Sequence, residues 1–443
     1  MRLIYSFLWW LALPLVLTRL WLRGRKEPGY RQHWGERLGF YGAHAGTDAA
    51  GAAAGSSSPQ AGPVLWLHAV SVGETRAAEP LVDALLAEYP ASRIILTHMT
   101  PTGRATGKAL FARHGARLQQ AYLPYDTASM VGRFIRHFRP AICILMETEV
   151  WPNLIAVCSA RGVPVVLANA RLSERSLRKS YRLGSLLLDA ARGITLVAAQ
   201  TEADAERVRS LGVANVAVTG SIKFDVVVPA AALTTGAALR SAIGARPVLL
   251  CASTREGEEE LILQAYLQAR STLPADLLLL IVPRHPQRFD EVEKLIAASS
   301  LSVARRSQLT LSDVAVSLPA TTQVLLGDSM GEMFAYYAAC DCAFVGGSLL
   351  ALGGQNLIEP AALGKPVLIG PHTFNFALVT EDAIAAGGAQ RVADAAALMQ
   401  AAAHLLGDSA ARTSMGQQAL AFANQHRGAT ARTLDLLHSF ALR

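Results

Sequence analysis

The sequence predicts an α/β protein built from two Rossmann-like domains that face a cleft, preceded by a hydrophobic N-terminal helix. From Pro63 onward, short apolar runs alternate with helical stretches; the alternation pauses at residues 225–247 and then restarts. Continuous apolar runs are typical of parallel strands that helices cover on both faces. Two such repeats joined by a connector therefore predict two doubly wound domains.

The N-terminal helix is predicted from its lack of charge. The segment from Leu3 to Thr18 has no charged residue in 16 positions, and the basic, aromatic stretch RLWLRGRK follows it. A cleaved signal peptide would show a small-residue cleavage site there. Residues 1–26 are therefore predicted to be a membrane anchor with its positive flank on the cytoplasmic face. A buried helix is the alternative, and the length leaves open whether the segment spans the bilayer or lies in it.

The domain boundaries follow from the strand pattern. Residues 27–228 are predicted to form the first domain, with an Ala/Gly/Ser-rich flexible insertion at 41–62, and residues 229–443 the second, which ends in helix. The predicted strands are VLWLHA, RIILTH, AYLPY, AICILME, PVVLAN, ITLVAAQ and VAVTG in the first domain, and VLLCAS, LLLLIVP, QVLLGD, CAFVGG and PVLIG in the second. Ligands of such domains bind at the carboxyl ends of the strands, so residues just after these runs are the candidates.

Composition limits the classes of function. The chain has 443 residues, 51% of them apolar, and a formal net charge of +7. That charge is compatible with nucleic acid, anionic lipid or a phosphorylated substrate, but the basic residues lack interleaved aromatic platforms, so no nucleic-acid binding is predicted. The five cysteines have no framework spacing and predict buried, reduced thiols. The sequence has no metal-binding, dinucleotide-fingerprint or P-loop motif, so we predict no metal, no cofactor and neither redox nor P-loop chemistry.

Glu74 permits two interpretations. The stretch SVGE, Ser71 to Glu74, follows the strand VLWLHA and matches a helix capping box. The same carboxylate, in the first turn of a helix at a strand end, is placed to accept a proton from a hydroxyl. The interpretations compete, because a side chain folded onto its own helix is less free to take a proton.

Other candidates in the first half also lie near strand ends. Glu147 and Glu149 end ICILMETE and share a face if the chain is extended there, either as solvated loop acids or as groups that orient a substrate or a cation. Lys223 lies at the edge of the connector, within reach of the predicted cleft. A predicted basic helical face, either solvated or in contact with phosphates or a membrane surface, comprises Arg171, Arg175, Arg178 and Arg182.

The second half carries the features of an anion and nucleotide site. Arg284 and His285 follow the most apolar strand, and Arg284 is a candidate phosphate ligand. GDSMGE, 327–332, reads as a strand end, a glycine turn and a helix start, where backbone N–H groups bind anions. GGSLLALGGQNLIEP adds glycines, then Asn356 and Glu359, and a carboxylate near such a turn is a usual partner of a ribose diol.

Eleven segments in order resemble the 3-deoxy-D-manno-octulosonic acid (Kdo) transferases of Gram-negative bacteria, which are GT-B glycosyltransferases. The segments are RGRKEPGYRQHWGERLGFY, HAVSVGET, TPTGRATG, METEVWPNLI, ANARLSERS, TGSIKFD, VPRHPQRF, GDSMGEM, AFVGGSL, GGQNLIEP and GPHTFNF. They cover nearly the whole chain. Two departures are the long insertion at 41–62 and Arg255, where the family usually has His; Arg255 makes an additional phosphate contact one interpretation of that position.

The resemblance implies transfer of Kdo from CMP-Kdo to the lipid A precursor lipid IVA, with inversion, at the cytoplasmic face of the inner membrane, where the surface offers anionic lipid. It assigns the catalytic base to Glu74 and transition-state stabilisation to Glu147 and Lys223. The residues that it assigns to CMP binding are Pro283, Arg284, Met330, Gly331, Glu332, Asn356, Leu357, Ile358 and Glu359. Two alternatives stay open at this point: a membrane-associated GT-B transferase with a UDP-sugar donor, and a non-catalytic membrane-bound scaffold.

Overall fold

The computed structural model describes residues 1–25, 27–42, 62–182, 184–311 and 317–440. Most of the predicted insertion at 41–62, and Lys26 at the end of the predicted anchor, lie outside the described residues. The chain divides into two compact units, residues 1–225 with 427–443, and residues 226–426.

The first unit contains a seven-stranded parallel sheet in the order β3-β2-β1-β4-β5-β6-β7. Its strands are β1 (Val64–His68), β2 (Arg93–His98), β3 (Leu118–Tyr122), β4 (Ile142–Met146), β5 (Val165–Ala170), β6 (Leu196–Ala199) and β7 (Val216–Val218). Its helices up to the connector are α1 (Arg2–Arg23), α2 (Trp34–Arg37), α3 (Val72–Ala77), α4 (Glu79–Glu88), α5 (Pro101–Leu110), α6 (Ala128–Phe138), α7 (Pro152–Ala160), α8 (Glu174–Arg182), α9 (Ser185–Arg192) and α10 (Glu202–Ser210).

The second unit repeats this design, with strand order β10-β11-β9-β8-β12-β13-β14. Its strands are β8 (Val248–Thr254), β9 (Leu278–Pro283), β10 (Val303–Arg305), β11 (Val324–Leu326), β12 (Cys342–Val345), β13 (Val367–Ile369) and β14 (Ala389–Arg391). Its helices are α11 (Ala230–Ile243), α12 (Glu258–Gln268), α13 (Phe289–Ala298), α14 (Met333–Ala339), α15 (Ile358–Ala362), α16 (Ala377–Ala385), α17 (Ala395–Gly407) and α18 (Ser409–Gln425). The predicted α/β class with two parallel sheets is confirmed.

The apolar strand runs are buried because helices cover each sheet on both faces. In the first unit, separate clusters of buried side chains lie on the two sides of the sheet, one around Trp66 and Phe134 and the other around Leu65 and Leu81. The Trp66 and Phe134 rings lie 4.2 Å apart between centroids. All five cysteines are free and buried, as the sequence predicts. Packing in these cores holds the strands in place, so residues with a chemical role are expected beyond the strand ends.

The final helix, α19 (Ala429–Leu437), packs in the first unit. This differs from the sequence prediction, which assigned all of 229–443 to the second domain. Leu437 is fully buried in the core of the first sheet, so apolar packing draws the chain end back. The Asp225 carboxylate also accepts hydrogen bonds from the backbone N–H groups of Gly428 and Thr430, at 2.6 and 2.5 Å.

Helix α1 packs along the first unit by one face only. Its Leu20 is buried against Tyr30 and Met130. The opposite face is apolar and open to solvent, with Phe7 67% and Leu15 74% exposed. Among the described helices, α1 alone is long and apolar enough to cross a membrane, with a mean hydropathy of 1.6 in its most apolar window.

Candidate functional site

Three of the predicted site residues meet at the carboxyl edge of the first sheet. Glu74 lies in α3 just beyond β1, and Glu147 directly follows β4, the strand that pairs with β1. Lys223 lies in a 3-10 turn, Ile222–Phe224, that follows β7. The structure therefore brings together an acid, a second acid and a cation that are far apart in sequence.

Glu74 caps its own helix. The Ser71 hydroxyl accepts a hydrogen bond from the Glu74 backbone N–H at 3.5 Å, as in a capping box. The carboxylate, however, bonds one residue earlier than that motif requires: its Oε2 accepts from the N–H of Val70 at 2.6 Å. The Ser71 half of the predicted capping box is present, and the carboxylate half is displaced by one residue. The half-buried carboxylate keeps further lone pairs for a proton.

The surroundings of Glu74 favour its protonated form. Burial raises its pKa to about 7; the hydrogen bond from Val70 opposes this, and the nearby charges of Glu149 and Glu147 raise it further. Burial also raises the pKa of Glu149, and the charge of Glu147 adds to that rise. A carboxylate with a pKa near neutrality is suited to general base catalysis, because it is ionised in part and is still basic.

Glu147 and Lys223 form an ion pair. The Lys223 Nζ lies 2.8 Å from the Glu147 Oε1, with the two side chains 28% and 19% exposed. The Glu147 backbone is left-handed, at φ 59°, which is uncommon for a residue with a side chain. The pair has no net charge, but it fixes the positive amine of Lys223, partly shielded from water, at the same edge as Glu74.

Asn169 is a residue that the sequence analysis missed. It lies in β5, is fully buried, and its Oδ1 accepts a hydrogen bond at 3.1 Å from the N–H of Ile222, next to Lys223. Its only sequence signal is an amide within the apolar run PVVLAN, where a polar side chain must find a partner.

The predicted basic helical face is smaller than expected. Helix α8 begins at Glu174, and the Ser173 hydroxyl accepts a bond from the N–H of Ser176 at the helix start. Arg171 therefore precedes the helix, and its N–H donates to the Glu147 carbonyl at 3.4 Å. The prediction of four arginines on one helical face was wrong, because Arg171 lies outside α8. The exposed basic residues that remain on α8 are Arg175, Arg178, Lys179 and Arg182.

All predicted donor-binding residues lie in the second unit. Arg255 and Arg284 follow β8 and β9, which are neighbouring parallel strands. Burial lowers the pKa of His285, and the charges of Arg255, Arg284 and Arg288 lower it further, so these groups lie close together. Arg288 is largely neutralised by the buried Glu259, at 2.7 Å. The edge of β8 and β9 is thus positively charged through Arg255 and Arg284, as an anion site requires.

The glycine turn after β12 already holds an anion of the protein. The buried carboxylate of Glu258 accepts hydrogen bonds from the N–H groups of Gly347, Ser348 and Leu349, at 2.6, 2.9 and 2.9 Å. It also accepts from the N–H of Arg255 at 2.9 Å. These backbone donors are occupied, so the turn serves to hold Arg255 and the loop in place.

The GDSMGE segment has the predicted layout, with β11, a turn at Gly331 (φ 85°) and then α14. Glu332 is the N-cap residue of α14, and its carboxylate pairs with Arg306 at 2.8 Å and also accepts from the Ser329 hydroxyl. Met330 is 57% exposed. The start of α14 is therefore occupied by a carboxylate of the protein itself, that of Glu332. The neighbouring Met330 offers an exposed apolar surface.

Asn356 organises the start of α15. Its Oδ1 accepts from the N–H of Ile358 at 3.0 Å, and its Nδ2 donates to the Glu359 Oε1 at 3.1 Å. The side chains of Leu357 and Ile358 are fully buried, and Pro283 is also buried. Of this segment, Asn356 and Glu359 supply the polar groups; Leu357 and Ile358 hold the turn.

Metal ligation has no clear candidate in the part of the chain that the structure describes, where no three His, Cys, Asp or Glu side chains form a cluster suited to an ion. The absence of metal and cofactor remains a prediction.

Comparison with known proteins shows the relationship. A family model described as 3-deoxy-D-manno-octulosonic-acid transferase matches residues 32–226. The 3-deoxy-D-manno-octulosonic acid transferase of Bordetella pertussis is 46% identical over 96% of this chain and 96% of its own length. The corresponding protein of Haemophilus influenzae is 39% identical over 99% of this chain and 98% of its own. A glycosyltransferase structure from Rickettsia africae, 12% identical, aligns with a TM-score of 0.57 over 86% of this chain and 99% of its own, which shows a shared fold.

Proposed function

This chain belongs to the family of Kdo transferases and is a glycosyltransferase of lipopolysaccharide biosynthesis, and we propose that it moves Kdo from CMP-Kdo to lipid IVA with inversion at the anomeric carbon. The observation that carries the proposed chemistry is the carboxylate of Glu74, whose pKa burial raises to about 7, beside the Lys223–Glu147 pair. An inverting transfer needs a base on the side opposite the leaving group.

In the proposed step, the ionised Glu74 takes the proton of an acceptor hydroxyl as that oxygen attacks the anomeric carbon. The bond from this carbon to the CMP phosphate breaks, and CMP leaves as a phosphate monoester with the bonding electron pair. As the phosphate leaves, the anomeric carbon becomes positive and the reacting oxygens carry the negative charge. Lys223 stabilises this negative charge on oxygen, and Glu147 fixes the Lys223 amine. Atoms and charges balance without an oxidant or a cofactor.

Donor binding is assigned to the second unit. The guanidinium of Arg284 suits the phosphate of CMP, and Arg255, on the neighbouring strand end, offers a second cation. Glu359, held by Asn356, is suited to the ribose diol. Met330 and Gly331 supply the exposed turn against which the nucleotide lies.

The apolar helix α1 associates the protein with the membrane, and we propose that it lies in the plane of the cytoplasmic face of the inner membrane. Near its start, the Ser6 hydroxyl donates to the Asn153 side chain at 3.1 Å, and the Trp9 ring stacks on Tyr125 at 5.6 Å. Near its end, Leu20 is buried against the same unit. Contacts over about 20 Å of helix support an orientation along the domain surface, with the apolar face toward lipid.

The basic residues that follow α1 complement this orientation. Trp21 lies under the guanidiniums of Arg25 and Arg31, at 4.8 and 4.9 Å from the ring centroid. An aromatic and basic rim beside an apolar face is suited to anionic headgroups. The same charges suit the phosphates of lipid IVA.

The test is a transfer assay. Detergent-purified protein is incubated with freshly prepared CMP-Kdo and lipid IVA without added metal, and the lipid is weighed by mass spectrometry. A product heavier by one or more Kdo units supports the proposal and gives the number added. An unchanged lipid, with folded protein, would overturn it and direct the search to UDP-sugar donors and then to a scaffold role.

A further inference from the structure

Two neighbouring strands of the first sheet end in residues of unusual backbone conformation. Glu147, directly after β4, has φ 59°, and Asn169, near the end of β5, has φ 54°. The pairing of β5 with β6 shifts register between Leu167 and Ala170, around Asn169. Side chains rarely adopt left-handed backbone, and such residues persist where their surroundings hold them, often at functional sites.

The Asn169 side chain ties β5 to the turn that carries Lys223. Its Oδ1 accepts from the Ile222 N–H at 3.1 Å, in an environment where both residues are fully buried. Its own carbonyl accepts from the Gln200 Nε2 at 2.9 Å, which fixes the backbone of Asn169 from the β6 side. The Asn169 amide therefore holds the backbone of Ile222, the residue next to Lys223.

The same end of β5 holds the other member of the ion pair. The N–H of Glu147 donates to the carbonyl of Ala168 at 2.9 Å, and the N–H of Arg171 donates to the carbonyl of Glu147 at 3.4 Å. Residues on either side of Asn169 thus hold the Glu147 backbone, while Asn169 itself holds the turn of Lys223. Residues 168–171 therefore hold the backbone of Glu147 and the backbone next to Lys223.

We infer that Asn169 is a positioning residue that aligns Lys223 with Glu147 for the transfer reaction. The inference rests on the proposed function of that pair. Lysine is long and flexible, so the place of its amine depends on how firmly its backbone is held. Loss of the hydrogen bond from Ile222 to Asn169 lets the turn at 222–224 move. A displacement of about 1 Å at a reacting centre lowers rates by roughly a hundredfold.

The first experiment compares Asn169→Gly with Arg139→Gly. Glycine keeps the left-handed backbone at 169 and removes the amide side chain, both its Oδ1 acceptor and its Nδ2 group. Arg139 is an exposed left-handed residue of the same unit, at φ 48°, and serves as the matched control. For Asn169→Gly, we expect kcat to fall by roughly tenfold to a hundredfold, with KM for CMP-Kdo within about twofold of wild type. Arg139→Gly should leave both constants unchanged.

A double-mutant cycle separates positioning from a general structural role. If Asn169 acts through Lys223, adding Asn169→Gly to a Lys223→Met variant causes no further loss of kcat. Asn169→Asp keeps an acceptor oxygen and should restore part of the activity that the glycine variant loses. Additive losses in the cycle, or a normal kcat for Asn169→Gly, would overturn the inference.

A readout without substrate makes the inference independent of the transfer assay. Acetylation of the Lys223 amine by acetic anhydride is followed by peptide mass spectrometry in the wild type and both glycine variants. Release of the amine from Glu147 should speed its labelling several-fold in Asn169→Gly and not in Arg139→Gly. If the wild type shows no transfer activity but Asn169→Gly is still labelled faster than the wild type, the proposed function is wrong and the positioning role of Asn169 is retained. If Asn169→Gly is labelled at the wild-type rate, the positioning role is wrong.

Discussion

The amine of Lys223 lies 2.8 Å from a carboxylate oxygen of Glu147, and both side chains are only partly exposed. The two residues reach this contact at the carboxyl edge of the first sheet, but from strands that are not neighbours: Glu147 follows β4, Lys223 follows β7, and β5 and β6 lie between those strands. A partly buried pair of this kind is held more firmly than a surface salt bridge and senses charge that develops nearby.

The ion pair should be required for turnover. For Lys223→Met, we expect kcat to fall by about a hundredfold or more, because the charge that stabilises the transition state is removed. The measurement is steady-state transfer from CMP-Kdo, with folding checked by circular dichroism.

Arg209→Met provides the matched control. Arg209 pairs with Glu202 on α10 of the same unit, and both side chains are exposed, 44% and 61%. Loss of that pair should change neither kcat nor stability by a measurable amount. Equal activity losses in both variants would show that charge removal, and not the place of Lys223, causes the effect.

The rate of transfer should fall at acid pH, because Glu74 becomes protonated there. Because burial raises its pKa to about 7, the base is largely protonated at pH 5.5 and largely ionised at pH 8.5. We expect kcat/KM to rise through this range with a midpoint near 7. Glu74→Gln should lack transfer at every pH, and a Gln variant with near-normal rates would exclude Glu74 as the base.

Glu74 should also make the fold less stable at alkaline pH. Its folded-state pKa lies above the ordinary 4.5, so the folded protein holds the proton more tightly than the unfolded chain does. That contribution is fully present below the unfolded pKa and is lost as pH rises through about 7. Glu74→Gln does not ionise and still accepts the Val70 hydrogen bond.

Thermal and urea unfolding of this variant test the point. At pH 8 we expect Glu74→Gln to have a free energy of unfolding above wild type by about 1 to 3 kcal/mol, with a smaller difference at pH 5. A variant less stable than wild type at pH 8 would show that capping by the carboxylate outweighs its burial cost.

The sequence predicted the fold because continuous apolar runs leave few arrangements other than parallel, covered sheets. It also placed Glu74, Glu147 and Lys223 at strand ends, since such ends share an edge. It did not predict that Lys223 pairs with Glu147, because that contact depends on the three-dimensional path of the turn at 222–224. Asn169 was missed for the same reason: its partner is a backbone N–H distant in sequence.

Helix boundaries and chain ends were less predictable. Arg171 fits the helical period of the basic face, yet Ser173 caps the helix two residues later and excludes it. The return of α19 to the first unit depends on Leu437 and on the carboxylate of Asp225, a contact that periodicity does not reveal.

Asp225 should stabilise the return of the chain. Its carboxylate accepts from the N–H groups of Gly428 and Thr430 at the start of α19. For Asp225→Ala, we expect a loss of about 1 to 2 kcal/mol in the free energy of unfolding, as for a lost helix cap, and faster proteolysis after Arg427. Asp408→Ala is the control: it removes a cap on α18, within the second unit, and should not expose the Arg427 site. Unchanged cleavage at Arg427 in Asp225→Ala would contradict the anchoring role.

The outward face of α1 should determine membrane binding. Phe7 and Leu11 are 67% and 66% exposed, so the double change Phe7→Glu with Leu11→Glu should leave the fold intact and remove binding to vesicles of mixed anionic and zwitterionic phospholipid. The control adds the same charges at Val227 and Leu233, which are 78% and 43% exposed in the second unit, and should bind as wild type does. Co-sedimentation measures both, and retained binding by the α1 variant would show that lipid contacts another surface.

The orientation of α1 can be measured with the tryptophans on its open side. Trp10 and Trp21 are 50% and 45% exposed, the first near the middle of the helix and the second near its end. A helix in the membrane plane keeps both rings at the same shallow depth, whereas a spanning helix carries Trp10 toward the bilayer centre. Because Ser6 and Leu20 both contact the first unit, we expect equal shallow quenching by brominated lipids in variants that retain Trp10 alone or Trp21 alone, with the other tryptophans of the chain replaced by Phe. Deeper quenching of Trp10 would mean that the contacts of α1 with the unit break when the protein enters the bilayer.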